Sequence, residues 1–216
     1  MTNNIVHDVL VGSRLFNLHD ENSDYDYQQI IVLPINYYLG IESYETSYQI
    51  QNHNHNRNLD IKVMEVRKWV SLATENKPSS LDALAILGFG DFRLRDFMSL
   101  LYFHTHQNLF EKEQKRLLHQ ETFGASFLKN FTHTLLRLEQ AEYLLREEYL
   151  KTDFSRHRNL FGDIRSGKYS KEELNEMLRE SHSAFHSAYI SSNLPKYPNK
   201  EKINQKLTEF LLDNLT

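Results

Sequence analysis

VGSRLFNLHDENSDYDYQQIIVLP, residues 11–34, decides how this chain is read. A Gly-Ser pair, Gly12 and Ser13, closes a short apolar run. Asp24 and Asp26 follow with one tyrosine between them, and then comes a second apolar run that Pro34 stops. Residues two apart on a β-strand point to one face. Asp24 and Asp26 would thus aim both carboxylates the same way, roughly 6–7 Å apart along the chain. An isolated Asp-Tyr-Asp is more often a solvated turn, and an isolated Gly-Ser means little. Their conjunction ahead of a buried-looking strand is far more specific.

A metal explains why acids would stand at the mouth of such a strand. Mg²⁺ takes hard oxygen ligands, usually a carboxylate or two together with substrate phosphates. A third carboxylate from a neighbouring strand would complete a site for two ions about 3.5–4 Å apart. Asp60 is the candidate. It opens the apolar stretch LDIKVMEV, residues 59–66, where an unpaired acid would be costly to bury. Glu65 is a weaker candidate because the following helix claims it. Gly12 and Ser13 supply the phosphate grip: without a Cβ the backbone can approach a phosphate, and the serine hydroxyl adds a donor. Arg14 is placed to contact the same phosphates. Tyr25, between the two acids, is expected to face the core.

Around this motif, residues 1–63 read as strand-rich. IVHDVLVGS suggests a helix end running into a strand, and YYLGIESYETSYQI a hairpin or meander bent at Gly40. QNHNHNRN, residues 51–58, reads as a polar loop. Val66, Trp69, Val70 and Ala73 recur at the helical period, and Asn76 and Pro78 end that helix. From residue 79 the pattern is helical, with Ser79 or Ser80 as a first N-cap. Phe127, Phe131, Leu135, Leu138, Ala141 and Leu145 mark one face of a long helix over 123–150. Ser170 and Glu173 form a capping box. Beyond Pro195 and Pro198, Ile203, Leu207, Phe210 and Leu211 line a last helix. The expected division is a catalytic domain over 1–95 and a helical substrate-binding domain over 96–216.

Composition excludes several classes. The chain has 216 residues, 40% apolar and 25% charged, ordinary values for a globular protein. It has no cysteine, which removes disulfides and thiolate zinc sites. No apolar run reaches the ~20 residues of a membrane span, and MTNNIVHDVL lacks the pattern of a signal peptide, so a cytoplasmic protein without a membrane partner is expected. Residues 1–90 carry 6 Lys/Arg against 11 Asp/Glu, while residues 91–216 carry 19 against 18. A polyanion-binding patch in the second half must therefore be local.

That half offers His133 and Arg137, four apart on a helix, for phosphate or base contact. Arg156, Arg158, Arg165 and Lys168 crowd a short interval, and Arg165 and Lys168 flank a glycine that suits close approach to a phosphate. The competing reading of each is solvated charge. His53 with His55, and His104 with His106, are read as surface histidines because no third ligand matches either pair.

VGSRLFNLHDENSDYDYQQIIVLP resembles the signature of the DNA polymerase β-like nucleotidyltransferase superfamily: an apolar residue, Gly-Ser, a spacer and Asp-x-Asp. Within it, GSRLFNL and NSDYD look most like the RlaP/YcgL-type nucleotidyltransferases associated with RNA repair. Asn17 stands where glycine is usual, and HDEN replaces a smaller spacer. LDIKVMEVRKWVSLATENKPSSLDAL and the later NFTHTLLRLEQAEYLL, IRSGKYSKEEL and SNLPKYP extend the likeness over nearly the whole chain. The resemblance implies an α+β fold, a small mixed-sheet nucleotidyltransferase domain followed by an all-helical C-terminal domain. It implies Asp24, Asp26 and Asp60 as ligands of two Mg²⁺ or Mn²⁺ ions; Gly12, Ser13, Arg14, Arg137, Arg165 and Lys168 are the expected nucleotide contacts. The expected reaction moves a nucleoside monophosphate from an NTP to a hydroxyl, an RNA end such as tRNA or damaged RNA, releasing pyrophosphate. The rivals are AMP transfer to a protein side chain and a nucleotide- or RNA-binding module without turnover.

Overall fold

The computed structural model describes residues 4–21, 23–41, 43–54, 57–87, 92–120 and 122–215. The chain divides into two compact units, Met1–Phe97 with Pro198–Thr216, and Met98–Tyr197. The mixed α/β architecture is the expected one, a four-stranded mixed sheet followed mostly by helices. The division differs from the expected one in its last helix, which belongs to the first unit.

The sheet is built from β1 (Asn4–Val11), β2 (Tyr25–Val32), β3 (Ser47–Asn54) and β4 (Arg57–Glu65), in the order β1-β2-β4-β3. β1 runs antiparallel to β2, β2 parallel to β4, and β3 antiparallel to β4. The central strands β2 and β4 carry the apolar residues Ile30, Ile31, Val63 and Met64, all at most 2% exposed. Buried on both faces, they read as apolar runs rather than as an alternation. Ile31, Leu33 and Val63 meet a tyrosine layer on one face, from Tyr37 and Tyr38 of α2 (Ile35–Leu39) and from Tyr44 and Tyr48.

Four local expectations are corrected. The helix-then-strand order at the N-terminus is reversed: β1 comes first and the single turn α1 (Gly12–Leu15) follows. Of residues 37–50, where a hairpin or meander was expected, 37–39 belong to the helix α2 and, of those described, only 47–50 form hairpin strand, in β3. Residues 51–54 and 57–58 are not loop but the end of a hairpin, with His53 opposite Asn58 and Asn54 opposite Arg57. Ladder hydrogen bonds need no apolar side chain, so a polar stretch extends a strand beyond the core. His55 lies outside the described residues. Pro78 opens α4 (Pro78–Leu87) at the first helical position and places Ser79 and Ser80 inside it.

α3 (Val66–Thr74) buries Val66, Trp69, Val70 and Ala73 as its period predicts. Asn76 then takes φ +56°, the left-handed stop that Asn tolerates, and its Nδ2 donates to the Phe97 carbonyl at 2.8 Å. Trp69 packs edge-on to Phe92, with ring centroids 6.4 Å apart, and Phe92 meets Phe210 at 6.2 Å. Phe210 belongs to α10 (Lys200–Asn214), and this aromatic contact helps seat it in the first unit. Asp96, at the end of α5 (Leu94–Phe97), fastens it further by accepting from Lys202 and Lys206 at 2.7 Å each.

The second unit packs α6 (Leu101–His119), α7 (Ala125–Glu147), α8 (Arg158–Arg165) and α9 (Lys171–Ser191). Ser170 and Glu173 form the expected capping box of α9. His106 departs from its surface reading. It is fully buried beneath Tyr102, and burial lowers its pKa to about 3, so a neutral imidazole packs in this core. No helix is long and apolar enough to cross a membrane among the described residues.

Candidate active site

The parallel pairing of β2 and β4 sets Asp26 directly beside Asp60. Neighbouring strands lie about 4.8 Å apart, and residues in register project from the same face. Two acids 34 positions apart in the chain are thus side by side at one end of the sheet. Both are half-buried, and Asp60 Oδ1 is a buried atom that meets no hydrogen-bond partner. An orphaned carboxylate oxygen next to a second carboxylate suits a cation. Asp24 precedes β2 by one residue and is exposed. Among the described residues, no three His, Cys, Asp or Glu side chains are gathered closely enough to hold a metal. The fold pairs Asp26 with Asp60 and leaves Asp24 at the rim.

Gly12 is required twice over. Its φ is +69°, and a Cβ there would overlap Asp26 Oδ2 and stand 3.0 Å from Asp26 Cγ. The Gly-Ser turn therefore lies against the second acid. Ser13 is half-buried, and its hydroxyl makes no hydrogen bond among the described residues. Asn17, which stands where glycine is usual in the resemblance, adopts φ +56°. Asn is the best-tolerated substitute in that region, so this departure preserves the turn.

Arg14 does not reach outward. Its Nη2 donates to the Ser23 carbonyl at 2.8 Å and its Nε to the Asp24 carbonyl at 3.1 Å. The guanidinium lies 3.6 Å from the Tyr25 ring centre, so Tyr25 is covered by a cation rather than sunk in the core. Ser23 Oγ donates to Asp20 Oδ1 and accepts from Asp20 N, both at 2.9 Å. The spacer is thereby tied into a turn, and Arg14 holds the backbone that presents Asp24.

Two residues that the sequence reading passed over share the acid-bearing face. Gln28, two beyond Asp26, is 2% exposed and neither of its amide atoms finds a partner. Lys62, two beyond Asp60 and in register with Gln28, is exposed. Alternation along DYDYQ and DIK is the signal that would have found them. Glu65 is spoken for: it N-caps α3, accepting from Arg67 N at 3.0 Å and Lys68 N at 3.1 Å, and it accepts from the Tyr38 hydroxyl at 2.9 Å.

In the second unit, Arg137 is 7% exposed, and it donates to Gln140 Oε1 at 2.6 Å and to His133 Nε2 at 3.3 Å. Arg165 is exposed and donates to Thr132 Oγ1 at 3.2 Å. Lys168 is neutralised by Asp163, and Gly167 at φ +75° closes α8 between them. Arg156 is held by Glu139, which also receives Lys151 and His157. A pocket of about 430 Å³ beside Glu139, Glu142, Arg146 and Arg156 is lined by charges of both signs that largely satisfy each other.

Residues 1–86 match the model of the RlaP family, the RNA repair pathway DNA polymerase beta family. This match bears out the resemblance carried by the Gly-Ser and Asp-Tyr-Asp motif, and it indicates nucleotidyl transfer as the general class of chemistry. It ends within α4, whereas the likeness in sequence was read through the helical half as well. Among solved structures, this chain is similar to a nucleotidyltransferase-like protein from Exiguobacterium sibiricum 255-15, at 9% identity and a TM-score of 0.33, over 88% of this chain and 69% of that one. No curated protein matches it.

Proposed function

We propose that the chain is a metal-dependent nucleotidyltransferase that moves a nucleoside monophosphate from an NTP to a hydroxyl on an RNA end. The observation that carries this reading is the in-register Asp26–Asp60 pair, with a buried, unpartnered oxygen on Asp60 and a Cβ-free turn pressed against Asp26. Asp26 and Asp60 would hold Mg²⁺ or Mn²⁺, and Asp24 would join them. Like charges repel, so three carboxylates spread apart unless a cation lies between them. The exposed Asp24 side chain has room to swing inward. Bound divalent ions would supply neutralisation of the triphosphate and a lowered pKa of the attacking hydroxyl. Gly12 and Ser13 would grip the β- and γ-phosphates. The acceptor oxygen forms a bond to the α-phosphorus, the α–β bridging bond breaks, and pyrophosphate leaves. The hydroxyl proton passes to Asp60 and on to solvent.

The test uses each labelled NTP with Mg²⁺ or Mn²⁺ and a mixture of tRNA, RNA oligonucleotides and protein. Label should move to RNA, and an Asp24→Ala, Asp26→Ala variant should not transfer it. Label on protein would redirect the reading to side-chain modification. Metal should also raise the melting temperature of the wild type but not that of D26N/D60N, since an ion that binds only the folded state stabilises it by mass action. Absence of transfer and of any metal-dependent shift would sink the proposal.

A further inference from the structure

We propose that one side of α7, joined by the end of α8, is a track for the phosphates of a single-stranded polynucleotide. Lys129, His133 and Arg137 follow one another four residues apart on α7. Such neighbours stand about 6 Å apart, and the run from 129 to 137 covers about 12 Å of helix. Arg165, the last residue of α8, is brought alongside by its 3.2 Å bond to Thr132. Lys129 and Arg165 are both exposed, and among the described residues neither takes part in an ion pair. The basic residues nearby behave differently: Lys168 has Asp163, while Lys151 and Arg156 share Glu139.

The charges that act on His133 are those of Arg137, Arg165 and Lys129, all positive. Partial desolvation and then these cations keep its ring neutral, which lets Nε2 accept from Arg137. Arg137 is further fixed by Gln140, and at 7% exposure it backs the track from below while Lys129 and Arg165 line it. Lys129 and Arg165, held near one another with no ion pair among the described residues, repel each other, and a polyanion relieves that repulsion. A triphosphate is compact, whereas this line is extended and matches successive phosphates of one strand. The proposal rests on the transfer reading only in making the strand an acceptor, since binding needs no turnover.

The probe is a fluorescein-labelled 12-nucleotide RNA, with DNA of the same sequence beside it, titrated with the full chain by anisotropy from 50 to 300 mM KCl. K129E/R165E should weaken RNA binding at least 10-fold. Because two phosphate contacts are lost, the salt slope should fall by about 1.4. K112E/K115E, with the same change of charge on α6, should bind like the wild type. K129Q/R165Q should show a smaller loss in the same direction and serves if the reversal impairs folding. The wild type separates the two readings: RNA bound with this salt dependence but never labelled would sink the proposed function and leave the track standing. The track is overturned if the α7/α8 variants bind like the wild type, if the α6 control weakens binding equally, or if free NTP displaces the strand competitively. Equal binding of DNA would support a phosphate track blind to the 2′-hydroxyl, and tighter RNA binding one that also reads it.

Discussion

Gly12→Ala puts the closest contact of the candidate site to a quantitative test. Two costs add. The residue sits at φ +69°, where an L side chain costs about 1–2 kcal/mol. The new Cβ would also overlap Asp26 Oδ2 and lie 3.0 Å from Asp26 Cγ, so either the turn or the carboxylate must move. A forced shift of a packed side chain costs about 1–3 kcal/mol. The variant should therefore lose about 2–5 kcal/mol in urea unfolding. Transfer should fall on the order of 100-fold, the cost of a ~1 Å misplacement at a reacting centre. A double-mutant cycle separates the two costs. In an Asp26→Ala background the overlap with the carboxylate disappears and only a 3.1 Å approach to Cβ remains, so Gly12→Ala should cost little beyond the backbone share of about 1–2 kcal/mol. Additive effects of the two substitutions on stability would refute the contact, and undiminished transfer by Gly12→Ala would refute its place in catalysis.

Two more outcomes follow from contacts described above. Arg14→Lys keeps the charge but loses the planar guanidinium that bridges two carbonyls and covers Tyr25. Amide exchange over residues 20–24 should accelerate and half-saturating Mg²⁺ should rise several-fold, while Asp26→Asn in the same assays should leave the loop exchange unchanged; equal loop exchange in Arg14→Lys and wild type would remove its positioning role. Burial alone would raise the Asp96 carboxyl, but Lys202 and Lys206 outweigh it and hold the group below its usual range. A depressed folded-state pKa adds stability that is present above the unfolded value and is lost as pH falls through the folded one. Urea melts should thus show this contribution at pH 6 and its disappearance below pH ~4. Asp96→Asn should flatten that dependence at a cost of about 1–3 kcal/mol at neutral pH.

What was legible in the sequence is what rests on short-range pattern. The alternation in DYDYQQIIV, the placement of Asp60 at the head of an apolar strand and the Gly-Ser pair together announced the acid pair, because register carries those features directly into space. Arg14 was misjudged because an arginine's partners here are main-chain carbonyls nine and ten residues away, and carbonyls have no letter in a sequence. Lys168 looked available because Asp163, five residues earlier, gives no hint that the turn at Gly167 will bring it back. His106 looked superficial because it was read with His104 as one pair lacking a third ligand; on a helix, residues two apart face different surroundings, and only His104 is exposed. The return of α10 to the first unit was invisible for a different reason. It depends on Phe92–Phe210 and on Asp96 with Lys202 and Lys206, pairs more than 100 residues apart.

That return has a consequence for how the protein is made. The chain leaves the first unit after Phe97 and re-enters it at Pro198, where Asn199 N–H donates to the Asp96 carbonyl at 3.3 Å. During vectorial synthesis the acid-bearing sheet emerges first, yet the helix that covers Phe92 and neutralises Asp96 emerges last. Residues 98–197 can close on themselves in the meantime, since domains fold as units. The unit that begins first therefore cannot close until residues 98–197 have been made, and its completion waits on a helix whose lysines lie more than 100 residues downstream of Asp96.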